Sequence, residues 1–292
     1  MPSEQITQTI SLLRQIGPLD VDTMTVQDMR MLYDQIGNAY PIEPGITVEE
    51  VELGGVRAEK IYRNQSDMDR AIVYFHGGGY VIGSLQSHRE LASRITSATS
   101  SAVYLVDYPL APENPFPAAL ESAKTAYKEI AKSGVPVGVA GDSAGGGLAL
   151  ALLVALRDEG IMTAKAAALL SPWLDLTLSG ESLDHRADRD PVADRAQLVQ
   201  WVSYYLNGMD PKVPLASPLF ADLSGLPPIY IQVGTEEVLY DDSLRLFRRD
   251  NNLVTFDEFD GCMHVFQQFS PNSPESAEAL DRLGSFFEAH LV

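Results

Sequence analysis

Ser143 stands in the run Gly141-Asp142-Ser143-Ala144-Gly145, between a short β-branched stretch at residues 135–140 and a long apolar stretch of good helix formers at 148–156. A turn from strand to helix at that point must be sharp, and only very small neighbours let a serine occupy it with a strained backbone and an exposed hydroxyl. This is the form of a nucleophile elbow, which holds the hydroxyl above the carboxyl ends of a parallel sheet, facing the positive end of the next helix. Five residues alone would also suit an ordinary glycine-rich turn, so other motifs have to decide. A phosphate-binding loop is disfavoured, because Gly147 and Leu148 stand where such a loop needs lysine and a hydroxyl residue. Nor does a dinucleotide-binding glycine pattern begin here.

A second motif, His76-Gly77-Gly78-Gly79, directly follows the apolar run at 72–75. Successive glycines leave backbone N–H groups uncovered, so the loop can approach a substrate and donate to a developing negative oxygen. Acyl transfer needs a nucleophile and such donors together. A serine hydroxyl also needs a base, normally a histidine held by a carboxylate. Of five histidines, His76 belongs to the glycine loop, His88 to the helix after it, His185 to an insertion and His290 to the last helix. Only His264 comes directly after the last strand, at the end of the sheet where the elbow also emerges, which fits the serine, acid, histidine order of α/β-hydrolases. The acid must leave the strand at 229–233, and Glu236, Glu237, Asp241 and Asp242 are available there. Distance from the strand end favours Glu237, with Asp241 and Asp242 already in a helix. Cys262 lacks an elbow and reads as a small interior residue.

These residues need a scaffold. Apolar positions recur at helical spacing through Ile6, Ile10, Leu13 and Ile16, and again through Met29, Leu32, Tyr33 and Ile36, with Thr25 and Asp28 marking a helix start. Gly54-Gly55 separates two alternating runs at 48–53 and 56–62, which reads as a hairpin. From residue 71 onward, short apolar runs at 72–75, 102–106, 135–140, 166–170, 229–233 and 254–259 alternate with helical stretches. Strands apolar on both faces and separated by helices predict an α/β fold with a mostly parallel, doubly wound sheet. The connection from 170 to 229 is longer than a crossover needs. Residues 1–45 and 176–215 are therefore expected to form a cap over a catalytic body of 46–175 and 216–292. In that cap Leu198, Trp201, Val202 and Tyr205 share a helix face, and Trp201 or Tyr205 could line an acyl pocket.

With apolar residues at 45%, a core is assured, so the net charge of −19 belongs on the surface and argues against nucleic acid or an anionic membrane as partner. The first residues, Met1-Pro2-Ser3-Glu4-Gln5, lack a basic segment followed by an apolar run, so no signal peptide is expected. The longest apolar run is too short for a bilayer span, and a lone cysteine suits a reducing compartment. A cytoplasmic location is expected. His185, Asp188 and Asp190 match no metal-ligand spacing, and neither metal nor cofactor is expected.

From residue 71 to His264 the chain resembles the hormone-sensitive-lipase-like family of bacterial carboxylesterases, in the branch with a Gly-Asp-Ser-Ala-Gly elbow. The resemblance rests on the glycine loop at 76–79, Asp107-Tyr108, Leu110-Ala111-Pro112-Glu113, Pro115-Phe116-Pro117-Ala118, the elbow, and the acid and histidine segments. It implies an α/β-hydrolase fold, Ser143 as nucleophile, His264 as base and Glu237 as acid. Gly77, Gly78 and Ala144 would supply the oxyanion donors. Pro109 stands where the family usually has arginine, and Glu237 where many relatives have aspartate. The implied activity is hydrolysis of small, short-acyl esters without a cofactor. A homodimer is compatible with it. A non-catalytic receptor on the same fold, as in the related gibberellin receptors, would lack the histidine; an amide or thioester substrate would leave the residues unchanged.

Overall fold

The computed structural model describes residues 1–17, 19–21, 23–161 and 163–292. In chain order the elements are α1 (Glu4–Ile16), α2 (Val26–Gly37), β1 (Thr47–Leu53), β2 (Val56–Tyr62), β3 (Ala71–Phe75), α3 (Leu85–Thr99), β4 (Ala102–Val106), α4 (Ala118–Ala131), β5 (Val137–Asp142), α5 (Ala144–Asp158) and β6 (Ala166–Leu170). They continue as α6 (Ser182–His185), α7 (Arg195–Leu206), β7 (Ile229–Gly234), α8 (Tyr240–Arg249), β8 (Val254–Phe259), α9 (Phe266–Phe269) and α10 (Pro274–His290). The eight strands form one sheet in the order β1-β2-β4-β3-β5-β6-β7-β8. The hairpin β1–β2 is antiparallel, β2 meets β4 antiparallel, and from β4 to β8 every pairing is parallel.

The central strands alternate between two cores. Val137 and Val139 of β5 face the α4 and α5 side with Leu120, Tyr127 and Leu152, whereas Ala140 faces the α3 and α10 side with Leu91, Ile95, Leu283 and Phe287. Burial on both faces explains why these strands read as continuous apolar runs. One boundary differs from the sequence expectation. Strand β5 starts at Val137, because Pro136 has no N–H to give the ladder, and it continues through Asp142 to the elbow itself.

Helices α1, α2 and α7 pack on residues that follow the carboxyl ends of β3, β4 and β8. Helix α2 begins with a Thr25–Asp28 capping box and is fixed by Arg30, which donates to the carbonyls of Val81 and Ala111 and pairs with Glu113 at 2.7 Å. Helix α1 buries Ile6 among Phe259, Cys262, Met263 and Phe266. Helix α7, capped by Asp194, buries Leu198, Trp201 and Tyr205, with Val202 only partly covered. Among the described residues no helix is long and apolar enough to cross a membrane.

Candidate active site

Strand β5 runs straight into the turn that carries Ser143, whose φ of 50° and ψ of −120° lie where a residue with a side chain is strained. The strain is held by backbone bonds: Ser143 N donates to Leu170 O at 2.8 Å, and its carbonyl accepts from Gly147 and Trp173. Glycine is required on both sides of it. A Cβ on Gly145 would lie 2.0 Å from Phe75 O, and one on Gly141 would lie 2.4 Å from Gly145 O. The chain therefore turns tightly enough to start α5 at Ala144, with the helix's unpaired N–H groups beside the serine.

His264 follows β8, and its Nε2 lies 2.9 Å from Ser143 Oγ. Its Nδ1 lies 3.0 Å from Glu237 Oε2. A carboxylate only accepts, so this contact fixes the hydrogen on Nδ1 and leaves Nε2 free to accept from the serine. Ser143 is 9% exposed, His264 4% and Glu237 0%, so the relay is nearly closed to water. Burial pushes the His264 pKa down, but the Glu237 hydrogen bond and the charges of Glu237, Asp190 and Asp142 outweigh it, and the net shift is upward. The glutamate's extra methylene is accommodated by anchoring its other oxygen. Oε1 accepts from Gly234 N and Ser171 Oγ, both at 2.6 Å.

Asp241 and Asp242 point away from the imidazole. Asp241 accepts from Ser182 N at 2.9 Å, while Asp242 Oδ2 accepts from Leu174 N and Asp175 N at 2.7 and 2.9 Å. Asp242 thus fastens the chain just before the insertion to α8, and Asp241 fastens the insertion to the same helix. Asp190 does the same beside the acid: it accepts from Val238 N and Val192 N, each at 3.0 Å. Burial pushes Asp190 up to about 6 and Asp242 up to about 7. Among the described residues no group of His, Cys, Asp and Glu could hold a metal. Cys262 is fully buried, and burial pushes its thiol well up, away from the reactive thiolate.

The glycine loop corrects one expectation. The Gly77 N–H points into the protein, where it donates to Asp142 Oδ1 at 3.0 Å, so it is not free for a substrate. That carboxylate also accepts from Tyr74 OH at 2.8 Å and lies 3.3 Å from His88 Nε2. His76 is buried below the loop, stacked on Tyr108 at 4.3 Å, and burial with the nearby His88 pushes its pKa down to about 3. Gly78, in contrast, lines the cavity at Ser143. The N–H groups of Gly78, Gly79 and Ala144 meet no protein acceptor among the described residues.

That cavity has a volume of about 40 Å³ and is lined by Gly78, Ile82, Gln197, Leu198, Trp201, Leu239 and other residues beside Ser143 and His264. Trp201 presses on the loop so closely that a Cβ on Gly79 would lie 1.9 Å from its ring. Tyr205 does not line the cavity. It stacks on Tyr80 at 3.8 Å, one layer behind, where it supports the glycine loop from below. Ser171, Asp190, His88 and Tyr74 were not singled out from the sequence as parts of this site. Ser171 had a usable signal, being the first residue past a buried strand on the edge that carries the serine. The others are brought in by tertiary packing alone.

The family model described as the alpha/beta hydrolase fold matches residues 72–268. An acetyl-hydrolase of Streptomyces hygroscopicus is 41% identical over 288 residues, covering 95% of each chain. An esterase of Acinetobacter venetianus is 36% identical over 265 residues, covering 88% of this chain and 87% of that protein. Among solved structures, an esterase from the bacterial hormone-sensitive lipase family matches with a TM-score of 0.94 and 38% identity over 100% of both chains.

Proposed function

The chain belongs to the hormone-sensitive-lipase-like bacterial carboxylesterases of the α/β-hydrolase fold, and on that premise we propose that it cleaves short-acyl esters through Ser143, His264 and Glu237. The observation that carries this reading is the continuous relay from Ser143 Oγ through the imidazole to a fully buried carboxylate, at 2.9 and 3.0 Å. His264 Nε2 takes the hydroxyl proton as Ser143 Oγ bonds to the ester carbonyl carbon. The carbonyl oxygen becomes an oxyanion, held by the N–H groups of Gly78, Gly79 and Ala144. The carbon–oxygen bond to the alcohol then breaks, and the proton on His264 goes to the leaving oxygen. Water repeats the sequence on the acyl-enzyme, which releases the acid and restores the serine. Replacing Gly77 by Gly79 among the donors follows from the bond that Gly77 makes to Asp142.

The acyl limit follows from volume. With only about 40 Å³ beside Ser143 and an apolar lining that includes Leu198, Trp201 and Leu239, the cavity suits a small acyl group such as acetyl better than a long chain. The Streptomyces relative being an acetyl-hydrolase agrees with this. Residues 1–45 and 176–215 serve as a cap over the catalytic body of 46–175 and 216–292, with Trp201 as its innermost part. A net charge of −19 speaks against nucleic acid as a partner, and the single buried thiol suits a cytoplasmic enzyme. The test is a panel of esters with one alcohol and acyl groups from acetyl to octanoyl. Specificity kcat/KM is expected to be highest at the short end; a maximum at octanoyl would contradict the reading.

A further inference from the structure

A second cavity, of about 170 Å³, opens between α1 and α2. Its walls are chiefly apolar, with Leu12, Leu13, Ile16, Ile36 and Tyr40 among them, and among the described residues no charged side chain lines it. Leu12 and Ile16, one turn apart on α1, are 57% and 51% exposed, so the mouth of the cavity leaves large aliphatic side chains uncovered. This cavity and the one at Ser143 share a wall, Phe269. The Phe269 ring meets Tyr33, another lining residue of the Ser143 cavity, edge-on at 6.4 Å. Phe269 ends α9, the single helical turn that starts just after His264 and Val265.

The direction of the reaction says which part of an ester would reach this groove. The leaving oxygen must come within hydrogen-bond reach of His264 Nε2 to receive its proton. The alcohol therefore departs on the imidazole side of the cavity, and Val265 and Phe269, which follow His264 in the chain, are among its walls. The acyl group is left the rest of the cavity, which Trp201 and Leu198 also line. We propose that the groove between α1 and α2 is the alcohol site, and that the substrates are esters of small acids with bulky, uncharged, apolar alcohols. Phe269 is the partition that such an alcohol passes or displaces. This rests on the ester hydrolysis proposed above, and adds to it the chemical class of the leaving group.

The test compares two acetate esters, ethyl acetate and the acetate of a bulky apolar alcohol such as menthyl acetate, in the wild type and in Leu12→Glu, Ile16→Glu, Ile16→Leu and Phe269→Ala. The readout is the ratio of kcat/KM for the bulky ester to that for ethyl acetate. The glutamate variants should lower the ratio about tenfold, the loss expected when roughly 55 Å² of apolar contact is forfeited. Ile16→Leu should retain the wild-type ratio, and Phe269→Ala should raise it by merging the two cavities. An unmoved ratio in both glutamate variants, or an equal fall for both esters, would overturn the proposal. Failure of the wild type to hydrolyse either acetate would instead refute the ester-hydrolysis reading on which it stands, and the two failures are thus distinct.

Discussion

Replacing Glu237 by glutamine exchanges one oxygen for an amide nitrogen, and the surroundings decide which one. Oε1 accepts two hydrogen bonds, from Gly234 N and Ser171 Oγ at 2.6 Å each, and Oε2 only one, from His264 Nδ1 at 3.0 Å. An amide nitrogen at the Oε1 position would leave buried donors unpaired, at about 1–3 kcal/mol each. The glutamine oxygen therefore takes that position, and its NH₂ faces His264. Imidazole answers by moving its hydrogen to Nε2, where it points at Ser143 Oγ and no longer accepts the serine proton. The structure thus turns a conservative exchange into the wrong tautomer, a change that lowers turnover about 10⁴-fold in a related triad, or about 5.4 kcal/mol of transition-state stabilisation. Glu237 does not line the cavity, so KM for an acetate ester should move little. Two of its three hydrogen bonds survive, so the variant should remain folded. Steady-state kinetics, with circular dichroism as a fold check, measures this. A folded Glu237→Gln enzyme with turnover within tenfold of wild type would refute the reasoning. An inactive, folded Asp241→Asn beside it would move the acid to Asp241.

Two further outcomes follow from pKa shifts. His264 binds its proton more tightly than the usual imidazole value of 6.5, because burial is outweighed by Glu237, Asp190 and Asp142. The base form is therefore lost as pH falls through a value above 6.5, and the acidic limb of kcat/KM should lie there and move lower in Asp190→Asn; an unmoved limb would remove Asp190's charge from the account. Asp242 is raised from 3.8 to about 7, chiefly by burial. Its folded pKa exceeds its unfolded one, so its contribution to stability is fully present below 3.8 and is lost as pH rises through about 7. The Tm of Asp242→Asn relative to wild type should rise across that range, and a pH-independent difference would contradict the buried-charge explanation.

The parallel sheet was readable because buried strands are apolar on both faces, and the elbow because its glycines have no room for a Cβ. Relative chain order was enough to bring Ser143, Glu237 and His264 within hydrogen-bond reach, since the fold aligns all three strand ends on one edge. What sequence order does not encode is which way a backbone N–H points. Gly77, Gly78 and Gly79 are identical letters, and it is the buried Asp142 carboxylate, carried by a different strand, together with His88 Nε2 that takes the first of them away from the substrate. Helix periodicity likewise put Trp201 and Tyr205 on one face. It did not show that Tyr80 would cover Tyr205 and leave only Trp201 at the cavity. Strand β5 shifted by two residues for a reason present in the sequence, the missing N–H of Pro136.

Trapping the acyl-enzyme tests the central claim most directly. The protein is mixed with p-nitrophenyl acetate, quenched in acid within a turnover, digested and examined by mass spectrometry, with Ser143→Ala run in parallel. An acetyl group on the peptide carrying Ser143, absent from the alanine variant, is the expected result. Acetyl on Cys262, or full turnover by Ser143→Ala, would contradict it.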